Sequence, residues 1–289
     1  MSGLRVGVIG CGLIARSHAA NLVRDPRAAI TAVTDLDPAR ATAFAEQFAK
    51  DGADAVCPDA ASVIDQVDAV YVCTWTSEHP ALVAAAARAG RAVFCEKPLA
   101  TDLADAEAMT EAVEQAGVTN QVGLVLRRSP AFRYLRHVVH RPEAGPIMNV
   151  VFRDDQYLPT QGLYGSTWRA DRTKAGGGTL LEHSIHDLDL LDWLMGPIVE
   201  VSARLGTIHG LEGIDDQATV TLVAQSGAQA ALISVWHDVL SRPSQRSVEV
   251  FTTGGFFALE GDWIGPVRWD RTDRFDAPDE AATGELAST

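Results

Sequence analysis

Within the first fifteen residues an alternating apolar run, LRVGVIG (4 to 10), breaks directly into GCGLIA (10 to 15). A strand that ends in G-x-G-x-x-[G/A] and opens a helix is built to approach a dinucleotide. Gly10 permits the tight turn, Gly12 lets a pyrophosphate come close to the backbone, and Ala15 is small enough for helix to sit on strand. The helix N-terminus then favours the phosphate charge, so Leu13 and Ile14 join the two glycines as candidate cofactor contacts. About twenty residues on, AITAVTD ends in Asp35, whose carboxylate can accept hydrogen bonds from both ribose hydroxyls. The same charge repels a 2′-phosphate. NAD(H) is therefore favoured, and NADP(H) stays possible because Arg40 lies nearby.

The rest of the first 125 residues repeats this rhythm. Short apolar runs at 4 to 10, 29 to 35, 53 to 57, 68 to 74, 91 to 96 and 120 to 126 read as strands. Helical candidates fill the gaps at 13 to 24, 38 to 49, 77 to 89 and 102 to 116. Asp37-Pro38 and Thr101-Asp102 are start signals, Gly90 and Gly117 stops. Such alternation predicts an α/β, doubly wound Rossmann domain over residues 1 to 125, its parallel sheet covered on both faces. From about 146 the pattern turns to alternating strands, with Ser226-Gly227 and Gly254-Gly255 as hairpin turns and one strong helix at 178 to 195. This predicts an α+β domain over 126 to 270 with a large, mostly antiparallel open sheet, and an acidic, disordered tail over 271 to 289.

Composition narrows the partners. The formal charge of −14, from 38 acidic and 24 basic residues, works against nucleic acid and anionic membrane surfaces. No apolar run approaches the ~18 residues of a membrane span, and the start enters a strand with no signal-peptide pattern, so a cytoplasmic protein is expected. Cys11, Cys57, Cys73 and Cys95 show no CxxC pairing and read as buried reduced thiols.

FCEKPLA (94 to 100) sets Glu96, Lys97 and Pro98 at the carboxyl end of a strand, the edge where open parallel sheets bind ligands. A lysine there could polarise a carbonyl or relay an alcohol proton; it could also be part of a surface turn. LLEHSIHDLD (180 to 189) crowds one glutamate, two histidines and two aspartates among leucines. At about 100° per residue, Leu181, Ile185, Leu188, Leu191 and Met195 form a stripe, and Glu182, His186, Asp189 and Trp193 share an adjacent face. His183 and Asp187 pair on another face, so the polar groups do not converge readily on one metal ion, and no metal is expected. A structural polar face and a proton-transfer pair both remain open.

Taken together, GCGLIA with His18 following, TWTSEH (74 to 79), AGRAVFCEKPLA (89 to 100), VGLVLRRSP (122 to 130) and GGGTLLEHSIHDLDLLDWLMG (176 to 196) resemble the Gfo/Idh/MocA family, the glucose-fructose oxidoreductase and inositol dehydrogenase type. The resemblance runs in order from residue 4 to about 265. It implies reversible oxidation of a secondary alcohol, often on a sugar or cyclitol, and an open sheet that makes homo-oligomer contacts, as a dimer or tetramer. It assigns catalytic roles to Lys97, Glu182 and His186. Lys97 would hydrogen-bond the reacting oxygen, His186 would exchange its proton, and Glu182 would orient the imidazole; either Lys97 or His186 can be the principal base. Thr74, Trp75, His79, Glu96 and Lys97 become further cofactor candidates. Two positions depart from the family pattern, Glu182 for the commoner aspartate and Trp75 for proline.

Residues 154 to 178 lead into the 178 to 195 helix and carry Trp168 and Arg169. With Arg128, Lys97 and His186 they are the candidates for contacting a polyhydroxylated substrate. A non-catalytic dinucleotide- or sugar-sensing regulator on the same fold is the rival reading.

Overall fold

The computed structural model describes residues 3 to 271 apart from 163 and 240; the tail expected to be disordered lies outside them, bar its first residue. The chain divides into two compact units, one ending at Gly123 and including Thr173–Gly176, the other formed by Leu124–Arg172 and the chain from Gly177 onward.

The first unit contains β1 (Leu4–Ile9), α1 (Leu13–Leu22), β2 (Ala28–Thr34), α2 (Pro38–Phe48), α3 (Ala60–Gln66), β3 (Ala69–Val72), α4 (His79–Arg88), β4 (Ala92–Cys95), α5 (Leu103–Ala116) and β5 (Asn120–Val122). The strands form one sheet in the order β2-β1-β3-β4-β5, and every neighbouring pair is parallel. This is the doubly wound order, with its switch point between β1 and β3. The helix signals act as read. The Asp37 side chain accepts from the N–H groups of Ala39 and Arg40, Asp102 from that of Asp105, and Gly90 and Gly117 take φ of 68° and 62°.

Two elements differ from expectation. Residues 53 to 57, read as a strand, form a 3-10 turn (Gly52–Ala55), and only Val56 bridges to Val33 of β2. The sheet therefore has five strands, not six. The unpredicted α3 is too short to show a helical period, but Asp59 caps it by accepting from the Ser62 N–H at 2.8 Å. Its Val63 lies so close to β1 that a Cβ on Gly7 would stand 2.4 Å from Val63 Cγ1.

The second unit contains α6 (Pro130–Val139), β6 (Ile147–Tyr157), α8 (Ile185–Met195), β7 (Ile198–Gly206), β8 (Gln217–Ala224), β9 (Gln229–His237), β10 (Gln245–Thr252), β11 (Gly255–Glu260) and β12 (Val267–Arg271); the short α7 (Arg172–Ala175) begins at its edge. The sheet order is β12-β11-β10-β6-β9-β8-β7. Only β6 and β9 pair in parallel, so the open, mostly antiparallel sheet is as expected. β12 and α6 were not anticipated, although Ser129 and Pro130 are a cap and first-turn proline for α6. Phe132, Leu135, Leu190, Leu191 and Leu194 of α6 and α8 bury one face of the sheet with Val150, Phe152, Leu232, Val248 and Val250. On the other face Met148, Val151, Ile233 and Phe251 are exposed.

The expected continuous helix over 178 to 195 is broken. Thr179–His183 is a π-helical turn and α8 starts only at Ile185. Within α8 the buried residues are Asp187, Leu190, Leu191, Leu194 and Met195, a stripe that shares only Leu191 and Met195 with the one drawn from the sequence. Asp187 consequently points into the core.

There it meets Arg246 of β10. The Arg246 Nε donates to Asp187 Oδ1 at 2.6 Å, Nη2 to Asp154 Oδ2 of β6 at 3.0 Å, and Nη1 to Asp262 Oδ2 at 2.9 Å. His183 Nε2 lies 2.9 Å from Asp154 Oδ2. Asp187, Asp154 and Arg246 are 0%, 2% and 5% exposed. Burial pulls the guanidinium toward its neutral form, but the three carboxylates outweigh it and hold Arg246 charged. One guanidinium cannot compensate two buried carboxylates, and desolvation with the Asp154 charge beside it pushes Asp187 up to about 7, against the opposing pull of Arg246.

This cluster has a sign that can be measured. Unfolded, Asp187 titrates near ~3.9. The folded protein keeps the proton to about 7, so the stabilisation is complete below pH ~4 and is lost as pH rises toward 7. Asp187→Asn fixes the neutral form. Denaturant melts from pH 4 to 8 should show the variant gaining on wild type by roughly 2–4 kcal/mol over that interval; a constant difference would contradict the assignment.

Candidate functional site

In the first unit the glycine turn is held open by sterics and by one carboxylate. Gly10 has φ +88°, and a Cβ there would stand 2.6 Å from the Cys73 carbonyl oxygen and 3.0 Å from the Thr74 nitrogen. The turn after β1 thus touches the loop after β3, and only glycine permits it. Gly12 is different: a Cβ would meet no atom within 4 Å. Packing within the protein does not require glycine there, and the space in front of it is open to a ligand. Gly12 is also the N-cap of α1, with no side-chain cap and no acidic residue in the first turn, so the positive end of the helix faces that space uncompensated. Leu13 and Ile14 are 60% and 44% exposed beside it. These features fit a dinucleotide pyrophosphate.

Asp35 closes the other side. Its Oδ2 accepts from the Cys11 N–H at 2.8 Å and its Oδ1 from the Asp37 N–H at 2.8 Å, while Arg40 Nη1 lies 3.5 Å from Oδ1. The carboxylate therefore braces the glycine turn as well as offering acceptors for a ribose.

The Lys97 loop is braced by two histidines. His18 of α1 sets Nε2 2.6 Å from Glu96 Oε1, and Glu96 Oε2 accepts the Lys97 N–H at 3.1 Å. Gly123 makes room for this carboxylate, since a Cβ there would stand 2.9 Å from Oε1. The His18 ring meets Phe94 edge-on at 4.8 Å, and Phe94 stacks on Tyr71 at 4.6 Å. His18, which the sequence shows only as part of the motif that follows GCGLIA, thus fixes the residue before Lys97. Only its position one turn beyond the glycine motif hinted at this.

His79 needs correction as a cofactor contact. It is 1% exposed, with Nδ1 2.9 Å from the Pro98 oxygen and Nε2 3.3 Å from the Thr74 oxygen. Desolvation holds it below the usual histidine range, against the pull of these carbonyls. A neutral ring has one N–H to give, and the shorter contact, to Pro98, takes it. His79, the first residue of α4, thus ties the segment just after the Thr74 loop to the Lys97–Pro98 loop from inside, with its ring turned into the interior. Glu96, 7% exposed, acts in the same interior way. Trp75, half-buried on that loop, carries the Lys174 ammonium 4.4 Å above its ring.

In the second unit, Gly178 is required because a Cβ would lie 1.8 Å from the Asp215 oxygen. Asp215 side-chain oxygens accept from the Gly178 and Leu180 N–H groups at 2.8 and 2.9 Å and so cap the π-helical turn. Thr179 and Ser184 hydroxyls both bond to Ser234 of β9, at 2.7 and 2.6 Å. Glu182, 2% exposed, pairs with Arg169 Nε at 2.8 Å, and that guanidinium lies 4.7 Å over the Trp168 ring. Arg169, a candidate substrate contact, is thus also a partner of Glu182. His186 is half-buried at the second position of α8. Asp189, grouped with it at constant helical pitch, is instead gripped by Arg127, at 2.8 Å to Oδ2 and 2.6 Å to Oδ1. Arg128 is exposed. Asp215, Ser234 and Arg246 come from strands or loops remote in sequence and carry no local signal.

Comparison with known proteins agrees with this construction. Residues 4–124 match the oxidoreductase family model with an NAD-binding Rossmann fold, and residues 132–258 match the GFO/IDH/MocA C-terminal domain. The chain is 33% identical to myo-inositol 2-dehydrogenase of Thermotoga maritima, over 78% of this chain and 66% of that one. It is 32% identical to 1,5-anhydro-D-fructose reductase of Ensifer adhaerens, over 87% and 74%. In fold it resembles the WlbA dehydrogenase from Bordetella pertussis, solved with NADH and UDP-GlcNAcA, with a TM-score of 0.87 at 24% identity, covering 99% of this chain and 82% of that one. The chain belongs to the GFO/IDH/MocA family of oxidoreductases, with the NAD-binding Rossmann domain of that family at its N-terminal end.

Proposed function

We propose that this chain transfers hydride between NAD(H) and the secondary alcohol or ketone carbon of a sugar, cyclitol or related polyol. Bound NAD supplies the hydride acceptor, and the protein supplies the proton chemistry and the positioning. The observation that carries the reading is the cradle of the first unit. The open space at Gly12, the Asp35 carboxylate and the braced Lys97 loop all stand at the carboxyl ends of one parallel sheet. Similarity to an inositol dehydrogenase and an anhydrofructose reductase supports the substrate class.

In this reading Lys97 hydrogen-bonds the reacting oxygen and His186 takes or returns the hydroxyl proton. Glu182 carries a charge held by Arg169. Its extra methylene relative to aspartate sets the reach of that carboxylate along the π-helical turn. Arg128, Trp168 and Arg169 line the substrate. The exposed apolar face of the seven-stranded sheet is the surface on which a homo-oligomer would form, and the cytoplasm is the proposed location. Among the described residues no helix is long and apolar enough to cross a membrane.

Two experiments test this. Lys97→Ala and His186→Ala should each lower turnover about 10²–10⁴-fold, the usual worth of a positioned acid or base, with NADH affinity nearly unchanged. Wild-type turnover in a variant lacking both groups would end the mechanism. NADH and NADPH oxidation against a panel of keto-sugars identifies the substrate; cofactor binding with no turnover on any of them would mark a sensor. Second, Asp35→Asn should weaken NADH binding about tenfold, as expected for loss of charged hydrogen bonds, and should move the NADH to NADPH affinity ratio toward one. Fluorescence titration reads both. Equal affinity for the two cofactors in the wild type would undo the role given to Asp35.

A further inference from the structure

His186 sits between two anchored neighbours. Three residues before it, His183 reaches Asp154 Oδ2 at 2.9 Å and lies 3.2 Å from Arg246 Nη2. Immediately after it, the Asp187 carboxylate, 0% exposed, is held by Arg246 Nε at 2.6 Å. Both anchors therefore lead to one guanidinium. His186 also lies just past the junction at Ser184 where the π-helical turn gives way to α8. The first turn of α8 has no side-chain cap, so the way it faces depends on what grips its flanking residues.

The cluster is a poor device for stability alone. Three carboxylates around one guanidinium carry a desolvation cost that apolar side chains of similar volume would avoid. It is well suited to orientation. The planar guanidinium gives each of its three nitrogens to a carboxylate on a different segment: Asp187 on α8, Asp154 on β6, and Asp262 after β11. A lysine ammonium has no such fixed fork.

We propose that Arg246, acting through Asp187, is the positioning residue of His186. It sets the direction of the imidazole and the charge that surrounds it without touching the reacting atoms. This rests on the reading of His186 as the proton-transfer residue, and it adds a group on β10, sixty residues away in sequence, that the catalytic motif does not contain.

The test uses Arg246→Lys and Asp187→Asn in the full chain, with histidine side chains followed by NMR on protein labelled with ¹⁵N-histidine. His186→Gln assigns the His186 signals among the eight histidines. In both variants the His186 titration midpoint should move by about half a unit or more, the scale of a changed charged neighbour, while His18 and His79 of the other unit keep theirs. With the keto-sugar identified by the panel, kcat should fall about tenfold or more, part of the general acid-base contribution, and the NADH dissociation constant should hold. A His186 titration and a kcat indistinguishable from wild type in folded variants would overturn the proposal. If Arg246→Lys does not fold, Asp187→Leu, which keeps the branched shape and offers Arg246 Nε no acceptor, carries the test alone. Wild-type turnover in His186→Gln would defeat the catalytic reading, while the NMR titration would still decide whether Arg246 positions the ring.

Discussion

The absence of a side chain at Gly10 is the constraint from which the nucleotide cradle follows. Because the turn after β1 comes within a Cβ radius of the Cys73 carbonyl, the loops after β1 and β3 stand side by side. That contact brings Thr74 next to the turn. His79 links the segment just after Thr74 to Pro98, Glu96 links the same loop to His18 of α1, and α1 begins at the turn itself. The contacts close a ring: glycine turn, β3 loop, lysine loop, α1, and back. A ring of this kind gives Lys97 a fixed base through its neighbours even though a lysine side chain has many rotamers of its own.

The second unit reaches the same end by a different route. Its motif lies on a short segment that changes helix type. Leu190, Leu191 and Leu194 anchor α8 on the sheet, each worth about 1.5–3 kcal/mol when fully buried. They fix the helix axis but are not directional about it. Direction comes from polar contacts at defined points: Asp215 on the main chain of the π-helical turn, the hydroxyls of Thr179 and Ser184 on Ser234, and Arg246 on Asp187. Hydrophobic burial sets the place and hydrogen bonds set the angle, a division expected from the non-directional character of one and the geometry of the other.

These differences account for what could be read in advance. The caps at Asp37 and Asp102 act on N–H groups two or three positions away, and the spacing of Gly10, Gly12 and Asp35 is itself a sequence pattern. The helix starts and the fingerprint were therefore legible in the chain, even though Gly10 and Asp35 meet their partners, Cys73 and Cys11, only in the fold. Both sheets were legible as well, because strand alternation is local. The π-helical turn was not. It depends on Asp215, Ser234 and Arg246 meeting the segment from remote strands and loops, and the apolar stripe drawn from the sequence ran through Ile185 and Leu188 where the fold buries Asp187, Leu190 and Leu194. His79 misled for a related reason: its motif marks a loop that matters to the cofactor, but burial turned the side chain toward the main chain. The partners of Glu96 and Glu182, His18 and Arg169, are separated from them in sequence, and only the fold brings each pair together.

The electrostatics make the cradle's local design necessary. A chain of net charge −14 opposes an anionic dinucleotide at long range, where the field of the whole molecule dominates, although salt screens that repulsion beyond about 8–10 Å. Attraction must then come from dipoles and donors within that distance. The first turn of α1 carries no acidic side chain, so its positive end is not cancelled where a pyrophosphate would lie. The nearest carboxylate of the cradle, Asp35, has both oxygens engaged by main-chain N–H groups, which spread its charge while leaving lone pairs for hydroxyl donors. A second phosphate at the ribose would meet that carboxylate with only Arg40, 3.5 Å from it, to offset the repulsion. In the proposed reading, an acidic protein with this arrangement favours NAD(H) by what it leaves unneutralised.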